Sequence, residues 1–382
     1  MKVTQIFDIV NSTTEEVLGR TEVVQEDLGN IVDVGNEIID TDNLDNYVKK
    51  LVNHIGKVVF VNRAYEGGVP SVMMDSWEYG SVLEKVSADL PEARESDSWK
   101  LEDGKSYDDD IFYQPSVSAK FFNSKVTFEI PMSFTEMQVK ESFSNANQLN
   151  GFLSMLTTAI ENSMTVKLDN LIMRTINNMT GETLAGDTSG VRAVNLLALF
   201  NEDTGQALTP EQALRDSEFI KFASYEIGLY SDRITRISTL FNGGGKERFT
   251  PASARHTVLL SDFAKATDIY LRSDIANQEL ITLPNYETVP YWQGSGKTYD
   301  FGSVSKIDVI TSDGKKVEQS GILGVMFDRH ALGISNLDRR VTTNYNASAE
   351  FYTNYYKFDS GYFNDLNENF IVFYLGEETP AE

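Results

Sequence analysis

Residues 145–179 read NANQLNGFLSMLTTAIENSMTVKLDNLIMRTINNM, and how this stretch folds decides the architecture. Leu149, Phe152, Leu153, Leu156, Ile160, Met164, Leu168, Leu171, Ile172 and Ile176 recur three or four apart, the interval that stacks side chains on one stripe of an α-helix. No proline interrupts the run. Such a helix extends about 50 Å at about 1.5 Å per residue, beyond the three or four turns usual in a globular domain. Glu161, Lys167, Asp169 and Arg174 interrupt the apolar residues, which excludes a membrane span, and the heptads are too irregular for a coiled coil. The stretch predicts a strut, although an ordinary long core helix of an enzyme fits the same pattern. The flanking sequence has to separate the two.

Just upstream, residues 124–132 (SKVTFEIPM) alternate as a strand. From 77 to 131 the period falls to two. Residues 78–86 read as a strand, 87–110 as a polar, acidic excursion turning at Asp103-Gly104, and 111–121 as a returning strand. Isolated two-stranded hairpins are marginal in water, and this one has few apolar residues near its end. It therefore has to lie on something else, and a neighbouring subunit is the economical partner; the alternative is a disordered surface loop.

Residues 1–42 mix acidic clusters (Glu15, Glu16; Glu22, Glu26, Asp27) with no sustained period, the pattern of an arm or peripheral segment. Residues 43–55 predict a short amphipathic helix with Leu44, Tyr47, Val48, Leu51 and Ile55 on one face, stopped by Gly56. Residues 57–61 (KVVFV) predict a strand. Downstream of Gly181 the chain is rich in Gly, Ala and Thr as far as Leu208. Thr209 then caps a helix with Pro210 at its first position, extending to Leu240 with a break near Gly228. The run Asn242-Gly243-Gly244-Gly245 ends it and reads as a hinge or boundary. Strands at 256–260, 305–310 and 324–327 with a helix at 262–273 give 255–340 a mixed α/β pattern. Residues 340–375 hold two or three strands rich in Tyr and Phe, and 370–375 (FIVFYL) suits a central strand.

Composition narrows the chemistry. The 382 residues, 41% of them hydrophobic, suffice for a substantial core. Absence of cysteine excludes disulfides, thiolate metal sites and cysteine nucleophiles. The opening MKVTQIFDIV lacks a basic region followed by an apolar core, so a soluble, unexported protein is expected. A formal charge of −24 works against binding a polyanion.

The catalytic motifs fail one by one. His54, His256 and His330 are the only imidazoles, and only Asp328, two residues before His330, stands near one of them. In 293–298 (QGSGKT) Tyr291 stands where a phosphate loop needs glycine, and 242–246 fails in spacing. Asp108-Asp109-Asp110 lacks the spacing, the glycine and the final Glu of a calcium loop. No pair of carboxylates is singled out for sugar chemistry. The tract 344–363 (NYNASAEFYTNYYKFDSGYF) has Lys357 as its only cation, so packing accounts for its rings better than base stacking.

The order of elements resembles the major capsid protein of tailed bacteriophages, the Hong Kong 97-like fold, and in look those of short-tailed phages of Gram-positive hosts. Three stretches carry the resemblance: 75–86 (DSWEYGSVLEKV), 128–134 (FEIPMSF) and 321–333 (GILGVMFDRHALG). The resemblance implies an α+β fold with an N-terminal arm (1–56), a lead-in strand (57–77), an extended E-loop hairpin (78–121), a peripheral domain (122–245) with its spine helix (145–179), an axial α/β domain (246–340) and a return to the peripheral domain (341–382). It implies a structural protein without catalytic residues, cofactor or metal, self-assembling into an icosahedral shell around double-stranded DNA. Its partners would be other copies in hexamers and pentamers, with scaffolding and portal proteins. Neither specific nucleic-acid binding nor a membrane is implied; the place is the virion, assembled in the bacterial cytoplasm. Trp99, Lys100, Lys105, Asp108, Asp109 and Asp110 become the E-loop contact candidates, and Leu149, Leu153, Leu156, Ile160, Met164 and Leu171 the spine-helix core. The Lys–Asn crosslinking of some relatives is not carried over to Lys100 or Lys105. An encapsulin-type nanocompartment shell shares the fold and is the first alternative; a soluble carbohydrate-active enzyme using two carboxylates is the second.

Overall fold

The computed structural model describes residues 3–19, 24–25, 29–40, 44–61, 69–74, 83–107 apart from 89, 92 and 94, then 112, 114, 116–273, 283–294 and 305–376. In chain order the elements are α1 (Val3–Leu18), α2 (Ile31–Asp40), α3 (Leu44–Val61), β1 (Met73–Met74), β2 (Leu83–Ala88), β3 (Val117–Phe122), β4 (Lys125–Thr135), α4 (Glu136–Ser142), α5 (Ala146–Gly186), β5 (Ala193–Asn195), α6 (Leu196–Thr204), α7 (Pro210–Ala213), α8 (Ser217–Arg233), β6 (Arg255–Leu260), α9 (Ser261–Ser273), β7 (Glu287–Val289), β8 (Gln293–Gly294), β9 (Lys306–Ile310), β10 (Lys316–Ser320), β11 (Ile322–Asp328), β12 (Leu332–Asn346), β13 (Phe351–Asn364) and β14 (Phe370–Tyr374). The fold is a mixture of helix and strand.

α5 is the long helix, 41 residues and about 60 Å. It starts where the Asn145 side chain accepts from the Gln148 N–H at 2.9 Å, satisfying one of the orphan donors of the first turn. It runs past residue 179 through Gly186, so the Gly- and Thr-rich composition after Gly181 does not end it. Gly181 is there for space: a Cβ at that position would meet Val309 Cγ2 at 2.3 Å. The helix passes the β9–β10 hairpin at this point, and glycine leaves the space that the Val309 side chain fills. Thr157, Thr175, Thr180 and Thr183 return their hydroxyls to carbonyls four residues back, which is how polar side chains are buried inside the helix without loss.

Two apolar cores share this one helix. Leu149, Leu153, Leu156, Ile160, Met164 and Leu168 pack with α1, α2 and α3 and with Ile130, Phe134, Tyr352, Tyr356 and Phe358. Their partner sheet has the order β1-β12-β13-β4. Leu171, Ile172, Met173, Ile176 and Met179 lie in the other core, under a sheet of order β5-β14-β11-β6-β7. The helix is one-sided in its first half and nearly enclosed in its second.

The two cores divide the C-terminal strands. β12 pairs with β13 and β13 with β4, while β14 pairs with β11 and β5. β14 is an inner, buried strand, as its unbroken apolar run demands.

Several local expectations give way. Residues 57–61 are helical rather than extended, because α3 continues through Gly56; one more helical bond per residue outweighs a weak β preference once a helix is anchored. Residues 1–42 hold α1 and α2, with Ile9, Val10, Ile31, Val34 and Ile38 buried. The helix capped by Thr209 is only one turn, closed by a box with Gln212. α8 then starts afresh because Asp216 accepts from the N–H groups of Glu218 and Phe219. It passes through Gly228 unbroken and stops at Arg233, not Leu240. The glycine run 243–245 is no loose hinge. Gly244 donates its N–H to the Leu366 carbonyl at 2.9 Å, and a Cβ there would meet Asn367 Oδ1 at 2.0 Å.

Candidate assembly surface

β2 and β3 pair antiparallel from Leu83↔Phe122 to Ala88↔Val117. This register sets Lys85 directly opposite Lys120, a like-charge pair that costs stability unless an anion intervenes. Asp365 intervenes. Lys85 Nζ donates to its Oδ2 at 2.7 Å and Lys120 Nζ to its Oδ1 at 2.9 Å, with the Asp365 side chain only 2% exposed. Lys85 also reaches Glu368 Oε1 at 2.7 Å and the His330 carbonyl at 3.2 Å. Arg248 Nε lies 3.4 Å from Glu368 Oε1. Burial pushes the Asp365 carboxyl up, but the hydrogen bonds from Lys85 and Lys120, the Lys85 charge and the Asn367 N–H outweigh it and leave the group below its ordinary value. Phe122 tilts against Phe363, ring centroids 5.2 Å apart. The base of the hairpin is thus bolted to the turn between β13 and β14.

Beyond its base the hairpin stands in solvent. Trp99 is 95% and Phe112 86% exposed, and Leu90, Leu101, Val86, Val117 and Phe121 are each more than half exposed. The tip is nevertheless shaped by its own bonds. The Tyr107 hydroxyl accepts from the Glu102 N–H at 3.1 Å, Lys105 Nζ stands 5.5 Å from the Tyr107 ring, and Gly104 turns the chain with φ +83°, a region closed to most side chains. Large apolar groups left uncovered at a turn are the mark of a contact surface.

The sequence candidates fall in different places. Trp99, Lys100 and Lys105 lie exposed at the tip; Asp108, Asp109 and Asp110 lie outside the described residues, as does the quoted stretch 75–82. Leu149, Leu153, Leu156, Ile160 and Met164 share one core and Leu171 belongs to the other. The Lys85–Asp365–Lys120 bolt was not foreseen. Its only sequence signal is a lysine on each strand, and the intervening carboxylate lies more than two hundred residues away.

Among the described residues no three His, Asp or Glu side chains gather as a metal site, and no helix is long and apolar enough to cross a membrane. His54 pairs with Glu16 at 3.1 Å. The His330 N–H donates to Asp328 Oδ1 at 2.8 Å. His256 rests on the Phe327 ring, and burial pushes its imidazole down. Of 293–298, Gln293 and Gly294 form β8, and the rest lies outside the described residues.

A two-core subunit braced by one helix, holding an apolar-tipped hairpin away from its own body, has the features of a structural building block. The chain belongs to the Phi29-like phage major capsid protein family, whose model matches residues 10–374. It is 26% identical to the major capsid protein of Bacillus phage GA-1 over 170 residues, which cover 43% of this chain and 34% of that protein. The matched part thus spans about one third of that relative's length. Among solved structures, the capsid of Staphylococcus phage Andhra is similar at 11% identity and a TM-score of 0.49, over 79% of this chain and 82% of that one. The mature capsid of bacteriophage PhiM1 is similar at 8% identity and a TM-score of 0.45, over 84% and 88%.

Proposed function

We propose that this chain is the shell subunit of a phage virion, assembling with copies of itself into hexamers and pentamers of an icosahedral capsid around double-stranded DNA. The family membership supports the reading, and the exposed hairpin carries it. Trp99, Leu101 and Phe112 stand exposed, and a second surface laid over them removes that apolar area from water. In this reading 1–56 is the N-terminal arm, 57–77 the lead-in, 78–121 the E-loop, 122–245 and 341–382 the peripheral domain and 246–340 the axial domain. Trp99, Lys100, Lys105 and Asp108, Asp109 and Asp110 are its intersubunit contacts. Scaffolding and portal proteins are its partners in the host cytoplasm. Neither a nanocompartment shell nor a two-carboxylate enzyme is favoured by the family match.

Negative-stain imaging and sedimentation of the purified protein test the proposal. Closed particles or rings are expected; a compact monomer at high concentration overturns it. Deleting residues 87–110 is expected to leave a folded subunit that forms no shells, and normal particles from that deletion would remove the hairpin's role.

A further inference from the structure

The β2–β3 hairpin carries a conflict within its own register. Successive side chains of a strand alternate between faces, so the face that holds Lys85 and Lys120 holds Leu83, Ser87, Ser118 and Phe122 besides, and no carboxylate. Glu84, paired with Phe121, lies on the opposite face. Lysines directly opposite one another destabilise a ladder, and a two-stranded ribbon is marginal even without such a pair. The two strands alone therefore do not favour the register they adopt.

Both counter-ions come from one turn, far along the chain. Asp365 lies 280 residues from Lys85 and 245 from Lys120, and Glu368, the second partner of Lys85, follows it on the turn between β13 and β14. That turn is itself a junction. The Asp365 N–H donates to the Ala331 carbonyl at 2.7 Å, the Gly244 N–H to the Leu366 carbonyl at 2.9 Å, the Phe370 N–H to the Phe241 carbonyl at 2.9 Å and the Asp328 N–H to the Asn369 carbonyl at 3.0 Å. Asn369 Nδ2 reaches Thr250 Oγ1 at 3.1 Å, and Arg248 pairs with Glu368. Asp365 thus stands in place only when the 241–250 loop, the 328–331 turn and β14 have met, and contacts so distant in sequence are costly to close and form late.

We propose that the pairing of β2 with β3 is conditional on this junction: the hairpin closes only after the turn at 365–369 has set its carboxylates against the two lysines, so it is formed in a completed subunit and open in an unfinished one. A two-stranded ribbon leaves both outer edges free, a template on which other chains pair. Delaying closure withholds that template, and the exposed Val86, Val117 and Phe121 on it, while the body is still incomplete. The same lysines oppose one another when β2 of one unfinished chain meets β3 of another in this register, so the conflict guards against strand exchange as well.

Hydrogen exchange of the full-length chain tests the proposal in two ways. In the native state, Asp365→Asn is expected to speed exchange across residues 83–88 and 117–122 about tenfold. Adding Lys120→Glu, which gives Lys85 an opposite charge within the ladder, is expected to restore protection to within about threefold of the unsubstituted chain, whereas adding Lys120→Arg is not. In pulse-labelled refolding of the unsubstituted chain, the same amides are expected to gain protection after those of Ile322–Asp328 and Phe370–Tyr374. Lys120→Glu alone should bring hairpin protection forward about threefold. Hairpin amides protected before those of β11 and β14 overturn the proposal, and this readout holds even where Asp365→Asn does not fold. Asp365→Asn without effect on the hairpin overturns it too, as does rescue by both Lys120 substitutions or by neither. None of these readouts requires particles, so their failure leaves the shell reading standing.

Discussion

Two long antiparallel hairpins in this molecule have opposite fates. β12–β13 buries one face of its second strand, with Tyr352, Tyr356 and Phe358 all at or below 2% exposure, because α5 and β4 lie against it. β2–β3 carries large apolar residues too, yet Val86, Val117 and Phe121 face water. Both ladders are antiparallel, β12–β13 with a register shift between Asn336 and Arg339 and β2–β3 without one. What differs is the platform: the first hairpin rests on its own chain's helix, whereas the second, among the described residues, is held at its base by Asp365, Glu368 and Phe363. Apolar side chains on a hairpin thus mark a buried surface without saying whose body buries it.

The largest break in this comparison comes from removing the platform. Leu156→Asp or Ile160→Asp puts an unpaired charge between α5 and the sheet, a cost of several kcal/mol, and is expected to abolish folding. Soluble protein with unchanged thermal unfolding would refute a helix buried on that face.

Equivalent truncations on the two hairpins should then separate stability from assembly. Phe358→Ala is expected to cost about 3–5 kcal/mol in chemical denaturation of the subunit. Trp99→Ala should leave that stability within about 0.5 kcal/mol while lowering particle yield. Equal effects on the subunit would erase the distinction.

A smaller effect tests the bolt. Asp365→Asn leaves Lys120 without its carboxylate and is expected to cost about 1–3 kcal/mol locally, read as faster amide exchange across Leu83–Ala88 with the β12–β13 amides unchanged.

The smallest effect concerns the end of the helix under both cores. Burial pushes the Asp187 carboxyl up, but the Ser189 hydroxyl and the N–H groups of Ala193, Arg192 and Ser189 outweigh it and bring it down to about 2. A depressed carboxylate contributes stability that is complete above its ordinary range and lost as pH falls towards about 2. Asp187→Asn should therefore flatten the acid limb of the stability curve and leave the alkaline limb alone. An unaltered acid limb would show that Asp187 is not held as described.

How much of this was legible depended on the range of the interaction. The helix was, since Leu149 through Ile176 repeat at its own period and Asn145 caps it locally. The strands 125–135 and 370–374 were, from alternation and from an unbroken apolar run. The extension of α3 through residues 57–61 was not, because a β-branched run favours a strand only weakly. The run 242–245 misled as a hinge, since Gly244 packs against Asn367, a residue far along the chain. Of the assembly surface, the turn at Asp103-Gly104 and the exposed Trp99 were readable, whereas the Lys85–Asp365–Lys120 bolt was not.

Sequence by itself determined the long helix, the alternation of the strands, the acidity of the hairpin and the absence of thiol chemistry, because periodicity, charge and composition are properties of neighbouring residues. Tertiary structure decided that the helix braces two cores, that β14 leaves the sheet of β12 and β13, and that the hairpin's apolar tip has no cover from the described residues of its own chain. Those outcomes depend on which distant surfaces meet, and burial is settled by that meeting and not by the apolar character of a residue alone.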